Sequence, residues 1–93
     1  MKLKEIIKSP SAKIVDVRTT QEYAIDHLQY AINIPLDQIA VNIERLKSFN
    51  ASAIIFYCRS GNRSGQAVDY LRQLGLQHVY NGGSIEDMKD LLN

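Results

Sequence analysis

Apolar positions along this chain alternate between short, dense runs and longer stretches where they recur every three or four residues. Residues 2–8 mix leucine and isoleucine with lysines and predict a short opening helix, closed by Ser9-Pro10. Residues 13–17 (KIVDV) are β-branched and too few for a stable helix, so they predict a strand. Thr19-Thr20-Gln21-Glu22 then offers a hydroxyl N-cap and an acidic first turn, which predicts a helix to about Leu28. Residues 31–34 read as a second short strand, stopped by Pro35. Leu36, Ile39, Ile43 and Leu46 fall on one face of a further helix. Residues 53–57 (AIIFY) are the most hydrophobic run and predict a fully buried central strand.

Cys58 ends that strand and is followed by a polar loop, RSGNRSG. Ala67, Leu71 and Leu74 mark the next helix, closed by Gly75. His78-Val79-Tyr80 predicts a last strand, Gly82-Gly83 a turn, and Ser84 the cap of a C-terminal helix. Strands separated by helices predict an α/β fold with right-handed crossovers and a mostly parallel sheet covered on both faces. In such sheets ligands bind beyond the carboxyl ends of the strands, which directs attention to the loop after Tyr57.

Composition adds limits. With 93 residues the chain is expected to form one domain over residues 1–93, and at this size it buries only roughly 60–65% of its unfolded surface. Hydrophobic residues make up 45% and charged residues 23%, as in ordinary globular domains. A net charge of +1 provides no whole-molecule attraction to nucleic acid or to an anionic membrane, so neither is expected as a partner. No run approaches the ~20 apolar residues that span a bilayer. The N-terminus has positive charges but no long apolar core, so the expected location is the cytoplasm, or the periplasm if a signal peptide has been removed. One cysteine, Cys58, excludes an intrachain disulfide framework and a Cys-rich zinc site; no metal or cofactor is expected.

A lone cysteine is either a core residue or a reactive thiol. Its neighbours separate the two readings. Between Cys58 and the next helix, expected about six residues later, lie Arg59, Ser60, Gly61, Asn62, Arg63 and Ser64, with no acid among them. Backbone N–H groups of such a loop, and those of the following helix, make an anion-binding nest. The same field favours thiolate over thiol. The loop therefore provides both a nucleophile and a seat for an anion. Ser60 and Ser64 either hydrogen-bond the sulfur or a leaving anion or, for Ser64, only cap the helix. Arg59 and Arg63 are candidates for recruiting an anionic substrate.

In order and spacing these segments resemble the rhodanese-like family over nearly the whole chain. Ile14-Val15-Asp16-Val17-Arg18 is similar to its first strand with the Asp-x-Arg signature. Glu22-Tyr23, His27-Leu28 and residues 31–35 (AINIP) are similar to its next stretch, and residues 57–64 to its active-site loop. Asp26 and Tyr30 stand where the family pattern often has glycine, and no tryptophan follows Gly82-Gly83. The resemblance, above all to small single-domain bacterial members, implies a three-layer fold on a central sheet of about five strands. It implies a sulfurtransferase in which Cys58 takes sulfane sulfur from thiosulfate as a persulfide and passes it to cyanide or a thiol. Since no second cysteine exists to resolve a persulfide, the acceptor is expected from outside, including a partner protein's cysteine. Related phosphatases and arsenate reductases place an arginine six positions after the nucleophile; here Arg63 is five after Cys58, which favours sulfur chemistry. A second reading is a sulfur-carrier or interaction module loaded by a partner enzyme. Asp16 and Arg18 are expected to be a buried pair bracing the loop, with Glu22 nearby. His27 is expected to be structural, not a general base, and His78 to lie at the surface.

Overall fold

The computed structural model describes residues 2–93. In chain order the elements are α1 (Leu3–Ile6), β1 (Lys13–Asp16), α2 (Thr20–Ile25), β2 (Ile32–Asn33), α3 (Ile43–Ser48), β3 (Ile54–Cys58), α4 (Asn62–Gln73), β4 (Val79–Ser84) and α5 (Ile85–Leu92). Two 3₁₀ turns, Leu36–Gln38 and Ala40–Asn42, precede α3. The strands are parallel in the order β2-β1-β3-β4.

The side chains of β3 explain the layering. All five are buried, and they alternate between two cores. Ile54, Phe56 and Cys58 join Leu46, Ala67, Val68 and Leu71 on the face covered by α3 and α4. Ile55 and Tyr57 join Ile85 and Met88 on the face covered by α5, with Leu3, Ile6 and Tyr23 packed against them from α1 and α2. Burying side chains of this size stabilises by about 1.5–3 kcal/mol each relative to exposure. β3 is thus the strand on which both helical layers are built.

Caps set two of the helix starts. The Thr19 hydroxyl accepts from the Glu22 amide while the Glu22 carboxylate accepts from the Thr19 amide; Ser84 and Asp87 repeat this reciprocal pair at α5.

Several expectations are corrected. The sheet among the described residues has four strands, not five; four apolar runs have strand character, and the fifth strand was implied only by the family resemblance. The helix expected over Leu36 to Leu46 is broken into two 3₁₀ turns and a six-residue α3. The helix expected to reach Leu28 ends at Ile25, since Asp26 takes an extended backbone (φ −163°, ψ 137°). Gly82-Gly83 is not a turn between elements but the last part of β4, where a register shift opposite Phe56 and Tyr57 admits an extra residue. The apolar alternation stops at Tyr80, so only the pairing to β3 reveals that the strand continues.

From β1 the chain crosses to β2 on one side of the sheet, whereas from β3 it crosses to β4 on the other. The carboxyl ends of β1 and β3 therefore flank a topological switch point, the crevice where α/β sheets bind ligands. Cys58 ends β3 there, beside Asp16 at the end of β1.

Candidate active site

Gly61 shapes the loop after β3. Its φ is +92°, and a Cβ there would lie 3.2 Å from the Gly83 Cα. A left-handed residue in close contact with another backbone is a place for glycine alone. The sharp turn starts α4 at Asn62, two residues sooner than expected, so Asn62, Arg63 and Ser64 form its first turn. Main-chain donors then converge on one sulfur: the Gly61 amide lies 3.0 Å and the Ser64 amide 3.5 Å from Cys58 Sγ. The Ser64 Oγ is also 3.5 Å from Sγ. Burial pushes the Cys58 thiol up, but the Ser64 hydroxyl when turned to the sulfur, and the amides of Ser64, Ser60 and Gly61, pull it down further; the net result lies below the ordinary value. Cys58 itself is 0% exposed.

The other loop residues divide by what they touch. Ser60 keeps its hydroxyl near the Asn62 amide at 3.4 Å, and Asn62 accepts from Gln66 Nε2 at 2.7 Å; neither side chain is on the sulfur. Arg59 is exposed and has no ion-pair partner among the described residues. Arg63, expected to recruit substrate, instead forks onto Glu22, with Nη1 donating to Oε1 at 2.7 Å and Nη2 to Oε2 at 3.1 Å. Hydrogen bonding to Arg63 holds the Glu22 carboxyl at about 2. The charge of Arg63 still acts electrostatically on Cys58.

Beneath the loop, Asp16 and Arg18 form the expected buried pair at 2.7 Å, with Asp16 also accepting from the Arg18 amide at 2.8 Å. The Arg18 guanidinium stands 5.7 Å over the Tyr57 ring, and the Tyr57 hydroxyl accepts from the Leu28 amide at 3.2 Å. Burial keeps that phenol protonated far above its usual range. His27 stacks on Tyr23 with ring centroids 3.7 Å apart and bonds the Tyr23 carbonyl at 2.7 Å, a structural role. His78 is exposed at the opposite strand end.

Glu22 lies near the Asp16–Arg18 pair as expected, its charge acting on Arg18, and it also engages the loop itself through Arg63. A further contributor escapes sequence reasoning. Asn81, on β4, donates from Nδ2 to the Gly61 carbonyl at 3.0 Å and accepts at Oδ1 from the Gly83 amide at 2.9 Å and from Ser64 Oγ at 2.7 Å. Its only sequence signal is an asparagine immediately before two glycines. A groove of about 330 Å³ lined by Val17, Pro35, Leu36, Asp37 and Arg63 borders the loop. A larger hollow of about 520 Å³, lined by Ala12, Lys13, Tyr30 and Leu92 among others, lies at the start of β1, the strand end away from Cys58.

Comparison with known proteins agrees with this geometry. The family model for the Rhodanese-like domain matches residues 1–89. The chain is 36% identical over 74 residues to thiosulfate sulfurtransferase PspE of Escherichia coli K12, covering 80% of this chain and 71% of that protein. It is 36% identical over 88 residues to the tRNA uridine(34) hydroxylase of Hamiltonella defensa, of whose length it spans only 25%. Among solved structures, a rhodanese with anions from E. coli superposes with a TM-score of 0.75 at 36% identity, covering 82% of this chain and 89% of that one. A strand-end cysteine ringed by amides, on a parallel sheet matched by these relatives over most of its length, places the chain in the rhodanese-like family.

Proposed function

We propose that this protein moves sulfane sulfur from a small anionic donor such as thiosulfate to an external acceptor, a thiol or cyanide, through a persulfide on Cys58. The observation that carries the reading is the Gly61 amide 3.0 Å from Sγ, in a turn that also aims the Ser64 amide at the sulfur. These donors stabilise a thiolate, and later a negative persulfide, without any histidine base. The Cys58 thiolate attacks the outer sulfur of thiosulfate, an Sγ–S bond forms, and the donor's S–S bond breaks with its electron pair leaving on sulfite. The acceptor nucleophile then attacks the outer sulfur, and the Sγ–S pair returns to Cys58 as thiolate. The 36% identity to a thiosulfate sulfurtransferase supports this donor. Hydroxylation of tRNA lies outside the proposal, because the chain spans a quarter of those relatives.

Formation of thiocyanate from thiosulfate and cyanide tests it. The protein is expected to turn over, with Cys58→Ser inactive; equal rates in the two would overturn the reading.

One observation favours the carrier reading. With Arg63 held by Glu22, Arg59 is the exposed loop cation left to recruit a small anionic donor. A module loaded by a partner enzyme would acquire persulfide from a cysteine desulfurase much faster than from thiosulfate, which comparing the two donors detects.

A further inference from the structure

The Asn81 amide sits between main-chain groups of opposite kind, and this settles which way it points. The Gly83 amide can only donate, so the atom 2.9 Å from it is the oxygen Oδ1. The Gly61 carbonyl can only accept, so the atom 3.0 Å from it is the nitrogen Nδ2. Ser64 Oγ lies 2.7 Å from Oδ1, which has no proton to give. The hydroxyl of Ser64 must therefore donate to Asn81. A hydroxyl has one proton, so toward Cys58, 3.5 Å away, the same oxygen offers only lone pairs. That arrangement, S–H to Oγ and O–H to Oδ1, suits a protonated thiol. A thiolate, already met by the amides, gains the Ser64 proton only when the hydroxyl turns toward it, which breaks the bond to Asn81.

We propose that Asn81 is a positioning residue that competes with the sulfur of Cys58 for the single proton of Ser64, and so sets how readily that hydroxyl serves the anionic form of the site. The contest is internal to the protein, since Ser64 and Cys58 are both 0% exposed. Gly65 makes it possible: a Cβ there would lie 3.2 Å from Nδ2, so a side chain at this point of α4 crowds Asn81. The charged groups on surrounding elements are engaged elsewhere or exposed. Asp16 is paired with Arg18 at the end of β1, Arg63 with Glu22, and Asp87 with Ser84 at the start of α5, while Arg59 faces solvent. Among the described residues, Asn81 is the side chain that contacts the Ser64 hydroxyl besides Cys58.

The inference rests on Cys58 as the nucleophile of the proposed reaction, but its test reads the thiol directly and needs no sulfur transfer. The rate of Cys58 alkylation by iodoacetamide is followed against pH in the wild type, Asn81→Ala, Ser64→Ala and the double variant. With Ser64 present, Asn81→Ala frees the proton for the sulfur and is expected to lower the thiol midpoint by about one unit, or raise alkylation about tenfold below it. In the Ser64→Ala background the same substitution is expected to change nothing. If Asn81 only braced the loop, its loss would withdraw the Gly61 amide and raise the midpoint in both backgrounds; a rise, an equal shift in both, or no shift beside Ser64 overturns the proposal. Asn81→Asp keeps both acceptor contacts of the side chain and is expected to raise the midpoint; a fall there also contradicts it.

Discussion

Arg63 grips Glu22 with both terminal nitrogens, at 2.7 and 3.1 Å, and so ties the first turn of α4 to the first turn of α2. This relationship changes the electrostatic account of the loop. Two arginines precede and enter the helix, but one of them arrives with a carboxylate already attached. In the proposed reaction, attraction of the anionic donor then rests mainly on Arg59, the amides and the helix N-terminus.

Glu22→Gln is therefore expected to lower the KM for thiosulfate about two- to fivefold, with kcat little changed, as a freed guanidinium attracts the donor. Glutamine preserves the capping of Thr19, so α2 should persist. Steady-state kinetics at low ionic strength measures the split.

The same pair predicts a pH dependence of stability. The Glu22 carboxyl lies at about 2 in the folded protein against an ordinary value of 4.5. A depressed carboxyl contributes stability above its unfolded value and loses that contribution as pH falls through the folded one. The loss between about pH 4.5 and 2 should amount to about 1 kcal/mol or less, because both side chains are near one-third exposed. Urea unfolding across this range should show a shallower acid slope in Glu22→Gln.

Much of the architecture was legible because burial writes itself into patterns. The run at 53–57 is apolar on both faces since both faces of β3 are covered, and Thr19 with Glu22 spells out its own cap. Cys58 and the amide-lined turn were legible for the same local reason, as Gly61 and the absence of acids shape the loop within a few residues. Contacts between distant segments were not. Arg63 and Glu22 are 41 positions apart, and Asn81 reaches back 17 positions to Ser64; no spacing encodes either. The end of β4 was hidden because glycines have no side chains to alternate.

Gly61→Ala tests the turn. Its left-handed φ and the 3.2 Å approach to Gly83 make alanine costly, by about 1–2 kcal/mol in chemical unfolding. Displacing the Gly61 amide from the sulfur should also move the Cys58 thiol upward, seen as a rightward shift in the pH profile of alkylation.

Arg18→Met leaves the carboxylate of Asp16 fully buried without a countercharge, and is expected to destabilise by about 3–5 kcal/mol. The double variant Asp16→Leu with Arg18→Met should recover much of that loss, since it removes both charges. Urea midpoints compare them.

Tyr30 occupies a left-handed backbone (φ 69°) and is 86% exposed. Tyr30→Gly is expected to raise stability by about 0.5–1 kcal/mol, because relief of the left-handed strain exceeds the entropy that glycine gains in the unfolded chain. Thermal unfolding would register this as an increase in Tm.

The central claim is that sulfur is carried covalently on Cys58, and intact-protein mass after incubation with thiosulfate reads it most directly. The wild type should gain the mass of one sulfur atom, lose it on addition of cyanide, and show no gain as Cys58→Ser. A wild type that gains nothing from thiosulfate or from a desulfurase, or a gain that survives in Cys58→Ser, would contradict it.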